Sequence, residues 1–305
     1  MKRRRFLLLT GGTAVTMAVL GVVAVVVTGG WRASSASASG SFAPIHTGPQ
    51  GMVGQFVVKC GYSHTALDDP IVHAGMAGMS HSHDFFGSRS TNADSTAATL
   101  TGQPTTCNQR KDTAAYWAPT LYDHGAPVVP LGAVAYYRAA PGVDPTTLQP
   151  FPAGLAMIAG DSMAESAQPI EVASWTCGSS SNLQVDPPDC PSDAPLRSHL
   201  TFADCWDGTH LDSADHRSHL AASHNGHCPK SHPVPLPQLT LTVRYPVSGT
   251  GHDLMLASGP TMTVHADFLN AWDETELTSQ VDLCLHRNLV CSVASNRAED
   301  VPQGF

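Results

Sequence analysis

Gln238-Leu-Thr-Leu-Thr-Val-Arg-Tyr245 and Met262-Thr-Val-His-Ala-Asp-Phe268 are the two stretches that decide the fold class. In each, apolar and polar residues alternate with period two, the signature of a strand with one face on a core. Leu239, Leu241, Val243 and Tyr245 face one way, with Thr240, Thr242 and Arg244 opposite. Met262, Val264, Ala266 and Phe268 share a face, with Thr263, His265 and Asp267 opposite. Further β-like runs are Gln55–Cys60, 128–138, 155–160, 169–177 and 199–206, separated by turn signals. With 26 Gly and 23 Pro in 305 residues and only 13% charged residues, the chain reads as loop-rich rather than helical. One helix stands out: Asp273 caps it, Glu276 completes a capping box, and Leu277, Val281 and Leu285 follow at helical spacing. The expectation is a mainly β fold, a sandwich or jelly-roll-like pair of sheets with long disulfide-stapled loops and one or two short helices.

Outward from this domain, the N-terminus carries an export signal. Lys2 to Arg5 precede an apolar run from Phe6 to Val27, and Ala36-Ser37-Ala38 offers a cleavage site. Arg3-Arg4-Arg5-Phe6-Leu7 also fits a loose twin-arginine pattern. The apolar run is about 22 residues, long enough to cross a bilayer core of ~30 Å, so a retained anchor is the alternative to a cleaved leader. We therefore read 1–38 as a signal peptide or N-terminal membrane anchor, 39–52 as a flexible linker, and 53–300 as one β-rich extracytoplasmic domain. The protein is expected to be secreted, or tethered to the membrane by that segment alone. Eight cysteines, Cys60, Cys107, Cys177, Cys190, Cys205, Cys228, Cys284 and Cys291, form an even set outside the leader. In an exported chain they read as four disulfides, with pairing in sequence order as the expectation. Five of the 16 Lys and Arg residues lie in the first 38 positions; the remaining 11 face 25 acids, a formal charge of −14. That balance argues against nucleic acid as a partner.

Histidine and aspartate carry the candidate chemistry. Seven of the 16 histidines fall between His199 and His232, where Asp207-Gly-Thr-His210-Leu-Asp212-Ser-Ala-Asp215-His216-Arg-Ser-His219 is densest. A second cluster is His81-Ser-His83, whose alternate residues point to one side of an extended segment. A third is His265-Ala-Asp267, imidazole and carboxylate on one strand face. Imidazole ligates zinc or copper, and carboxylates complete or orient such sites. Met76 and Met79 bring copper into view. The reading assigns His81, His83, His219 and His265 as metal ligands for a divalent ion, zinc or copper. It assigns Asp207, Asp215, His216 and Asp267 as catalytic groups. Tyr116, Trp117 and Trp206 are candidate sugar-stacking residues, with core packing as the alternative. The cysteines are structural. Ser162, His210 and Asp207 also mimic an esterase triad, but the strand–helix alternation such a fold needs is missing.

Several motifs, in order, resemble a family. They are His81-Ser-His83-Asp-Phe-Phe-Gly87, Ala115-Tyr-Trp-Ala-Pro119, Phe202-Ala-Asp-Cys-Trp206-Asp-Gly208, Leu211-Asp-Ser-Ala-Asp-His216-Arg-Ser-His219, Cys228-Pro-Lys-Ser-His232-Pro and His265-Ala-Asp-Phe268. Over residues 55 to 290 the chain resembles a domain-of-unknown-function family of secreted fungal and actinobacterial proteins. In fungi that domain is often joined to WSC carbohydrate-binding modules. The resemblance implies an extracellular setting and an association with wall polysaccharide, but no reaction. Three functions follow as expectations. One is a polysaccharide-active envelope enzyme using metal-assisted or His/Asp acid–base chemistry. The others are a non-catalytic glycan-binding module and an extracytoplasmic copper or zinc binder.

Overall fold

Two antiparallel five-stranded sheets carry the chain, and each strand is long enough to bury two or three side chains per face. The structure, a computed structural model, describes residues 54–291. The proposed leader 1–38, the linker 39–52 and the end of the domain beyond 291 lie outside the described residues. Neighbouring strands of the first sheet are Gln55–Cys60, Gly132–Arg138, Gln238–Arg244, Leu196–Thr201 and Ala173–Cys177. Those of the second are Tyr62–Ala66, His83–Gly87, Ala115–Pro119, His265–Leu269 and Ala156–Gly160. Leu239, Leu241 and Val243 of the first sheet share one buried cluster with Tyr116, Ala266 and Phe268 of the second. That shared core makes the pair a sandwich-like, mainly β fold. No helix among the described residues is long and apolar enough to cross a membrane.

Two central strands, His83–Gly87 and Ala115–Pro119, escape the period-two reading, and their burial explains why. Every residue in both is buried. On the inner side Phe86 and Tyr116 join the core between the sheets. On the outer side Phe85, Ala115 and Trp117 meet Ile71, Leu100 and Ala271 in a second apolar cluster. A strand covered on both faces has no polar side to alternate. The same observation corrects a site assignment. Tyr116 and Trp117 are fully buried, so they pack the two cores and cannot stack on a sugar.

The helix Glu274–Gln280 begins where the capping residue places it, with Asp273 accepting from the Glu276 N–H at 3.0 Å. Leu277, Val281 and Leu285 are all buried, the last two in a wider turn, Val281–Leu285. The reciprocal half of the expected capping box is absent. The Asp273 N–H donates instead to Lys111 O, and the Glu276 carboxylate accepts from Gln109 and Gln280. Lys111 and Gln109 from elsewhere in the chain, and Gln280 one turn on in the same helix, took over both roles. The disulfides pair in sequence order, Cys60–Cys107, Cys177–Cys190, Cys205–Cys228 and Cys284–Cys291. Four of them indicate an oxidising compartment.

Candidate metal centre

On the outer face of the second sheet, two strands each present a histidine in the same row. His83 lies opposite Pro119, and Asp267 lies opposite Trp117. Continuing that register by two residues sets Pro119 between His83 and His265. The two Cα atoms are then two strand spacings apart, roughly 10 Å, and the imidazoles meet over the proline. Their Nε2 atoms are 3.5 Å apart. His81, two residues before His83 and on the same side, brings its Nε2 to 3.2 Å from that of His265. Asp267, two residues beyond His265, shares its face and is 1% exposed. Asp69 completes the set from the segment that covers this face. Its Oδ1 accepts from the Ile71 and Val72 N–H groups, each at 2.9 Å. Ligand atoms of His81, His83 and His265 all lie within 4.8 Å of one another, as do those of Asp69, His83 and Asp267.

Hydrogen bonding determines which nitrogens are bare. His83 Nδ1 lies 3.0 Å from Asp68 O, and His265 Nδ1 lies 2.9 Å from Thr263 O. A carbonyl only accepts, so both Nδ1 atoms carry the proton and both Nε2 atoms of the neutral rings present lone pairs. Burial pushes His83 well below the ordinary histidine range, and the neighbouring His265 and His81 add to it. Burial likewise lowers His265 to about 4. Bare lone pairs facing each other at these distances repel unless a cation lies among them. The backbone carbonyls Asp68 O and Thr263 O fix the ring tautomer, as carbonyls do for histidines around bound metals. Burial, with Asp69 next, raises Asp267 well above the usual carboxylate range, and its Oδ2 has no hydrogen-bond partner. Asp267 groups with Asp69 and His83, so the two sets of candidate ligands meet at His83, and a buried carboxylate oxygen without a partner is a candidate donor there.

The strand end beside the site depends on a glycine. Gly160, directly opposite His265, has φ +79°, and a Cβ there would lie 2.5 Å from Val264 O and 2.9 Å from His265 Cα. Gly160→Ala is expected to destabilise the fold by about 1–3 kcal/mol through left-handed backbone strain. It should also displace His265 and weaken metal binding, which urea denaturation and metal titration of one preparation will show. Gly160 O accepts from Arg217 Nη2 at 2.7 Å, which sets a guanidinium at the rim. Its charge opposes the upward shift of Asp267.

The other sequence-predicted residues stand apart. His219 is buried, but Ser213 Oγ engages its Nδ1 at 2.9 Å and Ala156 O its Nε2 at 2.8 Å, so neither nitrogen is left for an ion. Asp215 caps a turn. The Ser218 N–H, the Ser213 hydroxyl and the Arg217 N–H hold its carboxylate below the ordinary range. His216 pairs with Asp212 at 2.8 Å, and Asp207 pairs with His210 at 2.6 Å. Asp207, Asp212, Ser213 and His219 line an open cavity of about 510 Å³. Trp206, half-buried, donates its indole N–H to His210 O at 2.6 Å. Met76 and Met79 are both exposed, on the segment before His81. Ser162 follows an antiparallel strand, so the esterase-type turn is absent. Sequence reading missed Asp69 and Arg217. Asp69 sits just before Pro70, where only its turn-capping contacts mark it, and Arg217 carries no local signal.

No curated protein and no solved structure matches this chain. The family described as domain of unknown function (DUF1996) matches residues 69–272. That interval begins at Asp69 and includes His81, His83, His265 and Asp267. Covering well over half of the chain, the match places this protein in the DUF1996 family.

Proposed function

We propose that this protein binds a divalent metal ion through Nε2 of His81, His83 and His265, with Asp267 and Asp69 supplying negative charge. The observation that carries the reading is the tautomer pair: Nδ1 of both His83 and His265 faces a backbone carbonyl, leaving their Nε2 atoms to face each other. Nitrogen and oxygen donors without sulfur suit zinc, whereas Cu(I) favours thioethers. Such an ion acts as a Lewis acid and lowers the pKa of a bound water. His81, only half-buried, is the side from which a substrate reaches the centre. The protein is exported, secreted or tethered by its N-terminal segment, and acts on wall or extracellular polysaccharide. Support for that partner is the family resemblance together with the open cavity lined by Asp207, Asp212, Ser213 and His219. Arg217, which joins the cavity loop to the strand end at Gly160, links the two regions.

A second reading has its own observation. Asp69 and His81 belong to the covering segment, while His83, His265 and Asp267 belong to the sheet, so an ion also fastens one to the other. Elemental analysis of the full chain, purified without a histidine tag, is expected to give one divalent ion per chain. His265→Ala should give none. Release of sugars from wall polysaccharide by the loaded protein, lost in His265→Ala, selects the catalytic reading. Metal without release selects the fastening role, and a folded parent protein that takes up no zinc or copper rejects both.

A further inference from the structure

The outer face of the first sheet carries an unexpected charge. Strand parity sends Leu239, Leu241 and Val243 inward, so the residues between them and their cross-strand partners face out. By register this face presents Lys59, Arg138, Arg197 and Arg244, together with His199 and Tyr136. It therefore holds four of the 11 Lys and Arg residues outside the leader, and none of the 25 acids of the chain. Arg197 stands directly opposite Arg244, an arrangement that costs stability through like-charge repulsion. Among the described residues no carboxylate pairs with Lys59, Arg138 or Arg197. Arg197 Nε is buried without a hydrogen-bond partner.

We propose that this face binds an anionic polysaccharide, a linear polymer of carboxylate-bearing sugars, as a site separate from the metal centre. Arg138 and Arg244 lie in rows six residues apart, roughly 20 Å at ~3.3 Å per residue, which spans several sugar units. Tyr136 and Thr201 sit between them and Gln238 beside Arg138, all half-exposed, with polar groups that match sugar hydroxyls. His199 forms the floor. Its nitrogens are held by the hydroxyls of Thr176 at 2.7 Å and Thr242 at 2.9 Å. Burial, with Arg197 and Arg138 adding to it, lowers it to about 4 and keeps it neutral. The charge on the face is therefore that of the arginines and the lysine. Spaced bases among hydroxyls fit a polymer with one charge per sugar. A nucleic acid duplex presents a denser charge, about one phosphate per 1.7 Å of axis, than four bases spread over this face can match. Among these half-exposed polar tips there is no large apolar anchor of the kind a protein or lipid surface would need.

The inference shares a polysaccharide partner with the metal reading but not its site, so either can fail while the other stands. Calorimetry and affinity electrophoresis of the full chain test it, with polygalacturonate, an uncharged glucan and polyphosphate as probes at several salt concentrations. Polygalacturonate should bind, the glucan should not, and affinity should fall as salt rises. Arg138→Gln with Arg197→Gln should weaken binding at least about tenfold, with metal content unchanged and Tm not lowered. If that pair melts early, Lys59→Gln replaces it, with a smaller loss and a shallower salt dependence expected. Unchanged affinity in the variants overturns the proposal. So does equal retention on the glucan, binding of polyphosphate alone, or no binding to any probe.

Discussion

Chelator treatment of the protein loaded with the proposed ion is expected to lower its melting temperature by roughly 10 °C. A ligand that binds only the folded chain stabilises it by about 4 kcal/mol at a thousandfold excess over its Kd. For a domain of this size each kcal/mol moves Tm by about 2–4 °C. The effect should be large here because the candidate ligands come from separate parts of the chain. Asp69 and His81 lie on the covering segment, and His83, His265 and Asp267 on two strands of the sheet. Unfolding separates them, so the unfolded chain has no comparable site. Differential scanning calorimetry with and without chelator, then with added zinc, measures the shift. His83→Ala and His265→Ala should melt at one temperature in both conditions, and their zinc affinity should fall by at least about 100-fold. An identical chelator shift in a folded His265→Ala protein would sink the assignment.

The second large effect concerns a buried acid remote from the candidate metal centre. Asp112 is fully buried, and its carboxylate accepts from the Tyr116 hydroxyl at 2.7 Å. Tyr116 is also hydrogen-bonded to Tyr137, whose oxygen accepts from the Trp272 indole at 3.3 Å. The network joins the two sheets, and burial pushes Asp112 up to about 8 despite the Tyr116 contact. An unfolded aspartate ionises near ~3.9. Below pH 4 both states hold the proton and the group has no effect on stability. Between pH 4 and 8 the unfolded chain releases it while the folded chain keeps it, so stability falls as pH rises. Across that window the loss is on the order of 5 kcal/mol, from 1.36 kcal/mol per unit over about four units. Asp112→Asn keeps an acceptor for Tyr116 and removes the titration. Urea midpoints at pH 4.5 and pH 8 should therefore converge in the variant. Asp84, which burial raises to about 6, contributes the same sign over a narrower range and remains in both proteins. The difference between parent and variant isolates Asp112, and equal pH slopes in the two would refute its role.

Much of the fold is legible from local pattern. The Leu239/Leu241/Val243 face points to the core, and Asp273 starts the helix, because both depend only on backbone geometry within a few residues. The same geometry puts His81 beside His83, with ring centroids 4.3 Å apart, and His265 on one face with Asp267. Where burial covers both sides of a strand, as at Phe85-Phe86 and Tyr116-Trp117, the pattern vanishes. The aromatics there then read as available when they are core. The histidine-rich stretch 207–219 misleads for a related reason. Its Asp and His side chains are satisfied by one another and by turn N–H groups, and density in sequence carries no information about which atoms remain free.

What the amino-acid sequence alone determines, then, is the set of short-range relations: which side chains share a strand face, where the helix begins, and that the cysteines form an even set. Only the tertiary structure decides that His81 and His83 meet His265, more than 180 residues away, and that His219 does not. Strand neighbours and their register are chosen by burial of the whole sheet, not by any segment within it. A one-residue slip of His265–Leu269 would turn His265 and Asp267 into the core between the sheets and dismantle the centre.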